Sequence, residues 1–194
     1  MIFKVLTLVL ALLGYYLSPY GPNAAEESTR KSANALSGSF YLATVTRVAD
    51  GDTITVRNRN GATHKIRMHA VDAPELKQAG GEHSKAWLAQ QLMNKNVKIV
   101  VNNTDRYKRQ VAKVVLPVEG CEQRLCEGET DINLKAIEAG QAWWYREYSR
   151  SQSSEDRVLY EAAENQARNQ LKGLWQGTAP QAPWQWRTEQ RNQR

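Results

Sequence analysis

YLATVTRVADGDTITVRNRNGATHKIRMHAV, residues 41–71, alternates apolar and polar side chains and is rich in β-branched residues. That is the pattern of half-buried strands. Asp50-Gly51-Asp52 separates a strand over Tyr41–Val48 from one over Thr53–Arg57. Asn60-Gly61 then leads into a third over His64–Val71. Asp-Gly and Asn-Gly pairs signal hairpins because Gly accepts a positive φ. Lys95–Val101 and Val111–Val115 read as two further strands. Five short, closely spaced strands predict a small barrel.

Working outward, a helix is expected over about Ser84–Asn94, where Trp87, Leu88, Gln91 and Leu92 form a partial apolar face. Thr130 or Asp131 can cap a short helix through Ile132, Leu134, Ala136 and Ile137, closed by Gly140. Ser153 or Ser154 opens a longer one, with Glu155 and Asp156 suited to the positive end of the dipole. Val158, Leu159, Ala162, Ala163, Ala167 and Leu171 are expected on its inner face, and Gly173 stops it. The expectation is an α+β fold, a five-stranded barrel with three α-helices.

The chain has 194 residues, which suits one ordinary domain with tails. A hydrophobic fraction of 41% with 24% charged residues excludes wholesale disorder and disulfide-dense or collagen-like scaffolds. The net charge of +6 favours an anionic partner without identifying it. Residues 1–17 carry one charge, Lys4, and an uncharged run too short for the roughly 20 apolar residues of a span. They read as a secretory signal peptide, with an uncleaved anchor as the alternative. Small residues offer cleavage sites near Ala25 or at Ala33-Asn34-Ala35. Export to the periplasm or medium makes a disulfide between Cys121 and Cys126 the expected state of the GCEQRLCEG loop. Zinc would need two more suitably spaced ligands, and His64, His69 and His83 do not supply them. The segment from Gln176 to Arg194 shows no helical or strand period, and its last eight residues are expected to be mobile. Trp184 and Trp186 are expected to cover an apolar patch of the domain; stacking on bases is the alternative.

Three segments concentrate polar side chains: Asp50–Thr53, Arg67–Glu75 and Asp105–Arg109. Singly, each has a plain reading as a turn, a strand end or a hairpin tip. Together they supply the parts of a phosphodiester-cleaving site. Asp52 and Asp72 offer hard oxygen ligands for Ca²⁺ or Mg²⁺. Two arginines match phosphate oxygens and cannot lose their protons. A glutamate can handle the attacking water.

DGDT at 50–53, R-x₄-D-A-P-E at 67–75 and D-R-Y-K-R at 105–109, in this order, resemble the staphylococcal nuclease family. The likeness covers roughly Phe40–Trp175, and PWQWR at 183–187 is similar to a tail of bacterial members. The resemblance implies an OB-fold barrel and a Ca²⁺-dependent phosphodiesterase acting on DNA and RNA, leaving 3′-phosphate ends. It implies Asp52, Asp72 and the backbone carbonyl of Ala73 as Ca²⁺ ligands, with Asp50 beside the metal water. Arg67 and Arg109 correspond to the phosphate-binding pair, Arg109 also assisting departure of the 5′-oxygen, and Glu75 to the residue that orients or deprotonates the attacking water. Tyr107 and Tyr148 correspond to nucleotide contacts, and Lys108 could add a phosphate contact. Four features depart from the family, one being the added cysteine loop around Cys121 and Cys126. Lys108 stands where the family usually has Gly, Arg146 stands where the type enzyme has a nucleotide-contacting Tyr, and the loop Leu76–Glu82 is shorter.

The expected layout is a signal peptide or anchor over 1–25, a linker over 26–38, the nuclease-like domain over 39–176 and a tail over 177–194. A monomer without an obligate protein partner is expected, attached to the membrane if the leader stays uncleaved. A non-catalytic OB module that binds nucleic acid or protein is the competing reading. Such a module has no use for two metal carboxylates beside phosphate-facing arginines, because without a cation they repel the backbone.

Overall fold

The computed structural model describes residues 40–118, 128–177 and 180–193. The leader with its cleavage sites, and the Cys121–Cys126 bridge, lie outside the described residues.

Five strands form a closed ring. β1 (Phe40–Val48), β2 (Thr53–Asn58) and β3 (Thr63–Met68) make an antiparallel meander. β5 (Asn96–Thr104) pairs antiparallel with β1 and with β6 (Gln110–Leu116). Parallel pairing of β3 with β6, Arg67 opposite Val111, closes the ring. Ala43, Val45, Ile54, Val56, Ile66, Met68, Val97, Ile99, Ala112 and Val114 fill the interior. Val45 and Val48 both point inward although three residues apart, because the β1–β2 register shifts between Val45 and Arg47. A bulge there re-aims the strand. The five-stranded barrel with helices is therefore present.

The third strand is shorter than expected. Ala70 adopts φ 58°, which turns the chain out of the barrel after Met68. Val71–Asp72 continues as β4 and pairs with β8 (Trp143–Trp144), Asp72 opposite Trp143. A two-residue strand, β7 (Thr130–Asp131), pairs with the end of β6.

Helix α1 (Gly81–Leu92) starts three residues before Ser84 and buries Ser84, Leu88 and Leu92 on one stripe; Trp87 and Gln91 are half-buried. Helix α2 (Ile132–Glu138) is capped by Asp131, whose carboxylate accepts from the Leu134 amide at 3.1 Å. Its Asn133 is fully buried and bridges the barrel, accepting from the Val114 amide and donating to the His69 carbonyl.

Helix α3 (Ser154–Asn169) is capped by Ser153 and turns Ala163 and Ala167 inward as expected, but not the rest of its expected apolar face. Val158, Leu159 and Leu171 are 67%, 51% and 63% exposed, and Ala162 is exposed too. The buried positions are Tyr160, Ala163, Glu164 and Ala167. Two polar side chains set that rotation. Tyr160 Oη donates to Asp131 at 2.8 Å, and Glu164 accepts from the Trp144 amide at 3.1 Å and from Arg146 at 2.9 Å. Buried polar groups have to be paired.

The segment expected to lack structure contains a helix, α4 (Pro183–Asn192), which includes six of the eight residues expected to be mobile. Pro183 sits at its first turn, where a missing N–H costs nothing. The Gln185 side chain accepts from the Ala182 amide at 3.3 Å. Trp184 is half-buried against Trp143 and Tyr145, with ring centroids 6.4 and 5.6 Å away. Gln78 donates to the Gln181 carbonyl at 2.6 Å. Trp184 thus covers an apolar patch of the domain, as expected.

Candidate active site

The site begins at the β1–β2 turn. A Cβ on Gly51 would lie 2.6 Å from Ala73 Cβ and 2.8 Å from Ser84 Cβ, so only Gly lets this turn press against the β4–α1 loop. Asp50 and Asp52, on either side of Gly51, are thereby brought beside Ala73. Asp52 is 6% exposed; one oxygen accepts from Thr53 Oγ1 at 3.0 Å and the other from the Ala73 amide at 2.9 Å. Asp50 accepts from the Asp52 amide at 3.1 Å.

Arg67 on β3 stands opposite Thr53 of β2 and joins Asp52 to Asp72. Its Nη1 donates to the carbonyls of Met68 and Val71 at 2.8 and 2.7 Å. Its Nη2 reaches Asp72 at 2.9 Å and Asp52 at 3.2 Å. The Asp72 side chain is 1% exposed, whereas Glu75, three residues on, keeps 38% of its side chain exposed. Glu75 is held near the turn by Gly81: a Cβ there would lie 2.0 Å from the Glu75 carbonyl oxygen.

One cleft of about 690 Å³ is lined by Asp50, Asp52, Arg67, Asp72, Ala73, Glu75, Tyr107, Arg109 and Tyr148. The structure thus brings the expected metal and water residues, the two phosphate-binding arginines and both nucleotide-contacting tyrosines to one cleft. Lys108 is not in the lining; it is exposed at the β5–β6 turn with φ 61°. This is the conformation Gly adopts readily. The turn holds regardless, because Asp105 accepts from the amides of Tyr107 and Arg109, both at 2.9 Å, and from Arg109 Nε at 2.8 Å. Arg109 lies 5.5 Å from the Tyr107 ring centroid. Arg146 is turned away from the cleft, paired with Glu164 and lying 4.4 Å over the Trp144 ring. Tyr145, not singled out from the sequence, lines the cleft instead, 5.3 Å from the Tyr148 ring.

Sequence reasoning also missed Arg187. From α4 its Nη2 donates to Asp72 Oδ2 at 2.8 Å, and its Nη1 to Asp72 Oδ1 at 3.2 Å and to Glu75 Oε1 at 2.9 Å. The signal that could have found it is Pro183 as a helix opener in PWQWR.

Burial pushes the Asp50 carboxyl up to about 6, helped by the negative charge of Asp52. Burial also raises Asp72 above the ordinary carboxylate range, against the hydrogen bond from Arg187 and the charge of Arg67. For Arg67 burial acts downward, but Asp52 and Asp72 outweigh it and raise its pKa. Both carboxylate shifts have burial as their first cause, and the neighbouring Asp52 charge adds to each.

Among the described residues no three His, Cys, Asp or Glu side chains form a ready metal cage. The donor set at hand is two carboxylates and a carbonyl, all hard oxygens. It fits a Ca²⁺- or Mg²⁺-type ion that keeps several waters. The Arg187 guanidinium resting on both oxygens of Asp72 shows that a cation is accepted there.

Residues 65–177 match the protein family described as staphylococcal nuclease homologue. The chain is 36% identical over 150 residues to a micrococcal nuclease of Shigella flexneri, covering 76% of this chain and 81% of that protein. An uncharacterized endonuclease of Haemophilus influenzae is 33% identical over 147 residues, covering 76% of this chain and 73% of the relative. A probable staphylococcal-like nuclease of Oryza sativa subsp. japonica is 30% identical over 150 residues, 75% of this chain and 40% of that protein. With an OB-type barrel carrying Asp52, Arg67, Asp72, Glu75 and Arg109 on one cleft, the match settles descent: this chain belongs to the staphylococcal nuclease family.

Proposed function

We propose that the protein is an exported, Ca²⁺-dependent nuclease that hydrolyses phosphodiester bonds of DNA and RNA with little sequence preference, leaving 3′-phosphate ends. The observation that carries this reading is the convergence of Asp52 and Asp72 on Arg67 in a cleft that Glu75 and Arg109 also line. Nuclease relatives that align along about three quarters of the chain support it.

Asp52, Asp72 and the Ala73 carbonyl would hold the ion. When bound, it supplies positive charge to the phosphate oxygens as negative charge builds there. Arg67 and Arg109 bind the non-bridging oxygens through their guanidinium forks. Glu75, the most exposed of the carboxylates that Arg187 touches, orients a water and takes its proton as the oxygen attacks phosphorus. The phosphorus–O5′ bond breaks, and Arg109 stabilises the departing 5′-oxygen. Tyr107 and Tyr148 flank the nucleotide.

Export is supported by the uncharged run after Lys4 at the start of the sequence. Purified protein should degrade DNA and RNA with added Ca²⁺ and stop when chelator is added, and product masses should show 3′-phosphates. Undiminished digestion in chelator would remove the metal from the reading. Binding without digestion at any Ca²⁺ concentration would leave only a nucleic-acid-binding module.

A further inference from the structure

Arg187 belongs to none of the motifs that define the site, yet it makes more contacts to the key carboxylates than Arg67 does. Three of its hydrogen bonds end on Asp72 and Glu75. The contact is built rather than incidental. Trp184, three residues before it, packs between Trp143 and Tyr145. Trp143 is the strand partner of Asp72. Gln78 ties the same segment to the loop of Glu75, accepting from the Glu75 amide at 3.2 Å while donating to the Gln181 carbonyl. The helix is therefore fastened to both elements that carry the two carboxylates.

Three of the roughly four acceptor positions of Asp72 are taken in this arrangement. Oδ1 accepts from Arg67 and Arg187, and Oδ2 accepts from Arg187 at 2.8 Å. The side chain is 1% exposed, so water does not supply an alternative partner. A guanidinium fork across both carboxylate oxygens and an inner-sphere divalent ion compete for the same lone pairs.

We propose that Arg187 is the internal counter-cation of the ion site: it occupies Asp72 and Glu75 when no divalent ion is present and has to release Asp72 for the ion to be bound. This rests on the reading of Asp52 and Asp72 as ion ligands. Arg187 is a positioning residue, acting through Asp72 and Glu75. In the ion-free protein it neutralises a buried carboxylate that would otherwise be left with Arg67 alone, a costly state. When the ion is bound, Arg187 retains Glu75, whose exposed carboxylate stays beside the attacking water.

Removing a competitor tightens binding, whereas removing a mere structural support loosens it. Calcium titrations of the full chain by calorimetry, without nucleic acid, therefore give the deciding readout. Arg187→Gln is expected to bind Ca²⁺ about 10-fold more tightly than the unaltered protein, since affinity at oxygen sites follows local charge and ligand availability. Arg187→Lys keeps the charge but loses the fork, and is expected to fall between the two or to match Gln. Thermal unfolding of each variant checks that α4 stays docked. Equal or weaker Ca²⁺ affinity in Arg187→Gln overturns the inference. So does Arg187→Lys indistinguishable from the unaltered protein, which would leave only long-range charge. If neither the unaltered protein nor Arg187→Gln binds Ca²⁺, the reading of Asp52 and Asp72 as ligands falls and the inference falls with it.

Discussion

Arg67 carries more of this site than a phosphate clamp alone would. Its guanidinium is shared among two main-chain carbonyls and two aspartates, and the side chain is 12% exposed. Lysine has one point charge and three rotatable donors, so it cannot satisfy that planar set. Arg67→Lys should lower turnover by roughly 100-fold or more and, unlike a purely catalytic change, lower stability by about 1–3 kcal/mol. Single-turnover rates and urea unfolding on the same preparation test both parts; near-normal turnover would take Arg67 out of the site. Lys108 shows the opposite economy. Its φ of 61° is an unfavourable choice for a β-turn residue that the family fills with Gly, but Asp105 supplies three hydrogen bonds that hold the turn and place Arg109.

At the level of elements, α3 and α4 share a lesson. An apolar tally places only Ala163 and Ala167 of α3 correctly, because Tyr160 and Glu164 reach partners on β7 and β8 that no local pattern announces. In α4 the buried face is a tryptophan and an arginine–carboxylate contact, so no apolar stripe marks it. Its Gln, Arg, Glu and Thr residues permit a helix, and docking of Trp184 makes one persist. Trp184→Ala should therefore cost about 1–3 kcal/mol, less than a fully buried tryptophan. It should also uncouple Arg187 from Asp72, so that the variant shifts Ca²⁺ affinity in the same direction as Arg187→Gln. Calorimetric unfolding and Ca²⁺ titration measure the two effects; unchanged stability would mean that α4 is not docked in solution.

For the whole molecule, the barrel encloses a core while leaving polar groups where strands leave the ring. His69 sits at one such exit, 5% exposed, its Nε2 within 2.8 Å of Ser151 Oγ and 3.3 Å of the Asn102 amide nitrogen. Burial pushes its pKa down from 6.5 to about 4; nearby Lys113 and Arg67 act in the same direction and Asp156 against them. Above pH 6.5 the imidazole is neutral in both folded and unfolded chains. As pH falls from 6.5 toward 4 the unfolded chain takes up a proton that the native state refuses, so stability is lost over that window. His69 should account for roughly 1–2 kcal/mol of the loss between pH 7 and pH 5. His69→Asn should flatten the pH dependence of the urea midpoint between those values, even if its stability at pH 7 is lower. An unaltered slope would assign the acid sensitivity to other groups.

The alternating strands, their Gly turns, the starts of α2 and α3 to within a residue and the chemical kinds of the site residues were legible in the sequence, because each depends on neighbours a few positions away. Asp52, Arg67, Asp72, Glu75 and Arg109 could be named for the same reason: they sit in short motifs whose residue types suit one chemistry. The turn at Ala70, the inward face of α3, the exclusion of Arg146 and Lys108 from the cleft, and the arrival of Arg187 on Asp72 were decided only by tertiary structure. Each depends on a partner across the fold, Asp72 and Arg187 being 115 positions apart, and pairing of buried charges over such distances leaves no periodic trace along the chain.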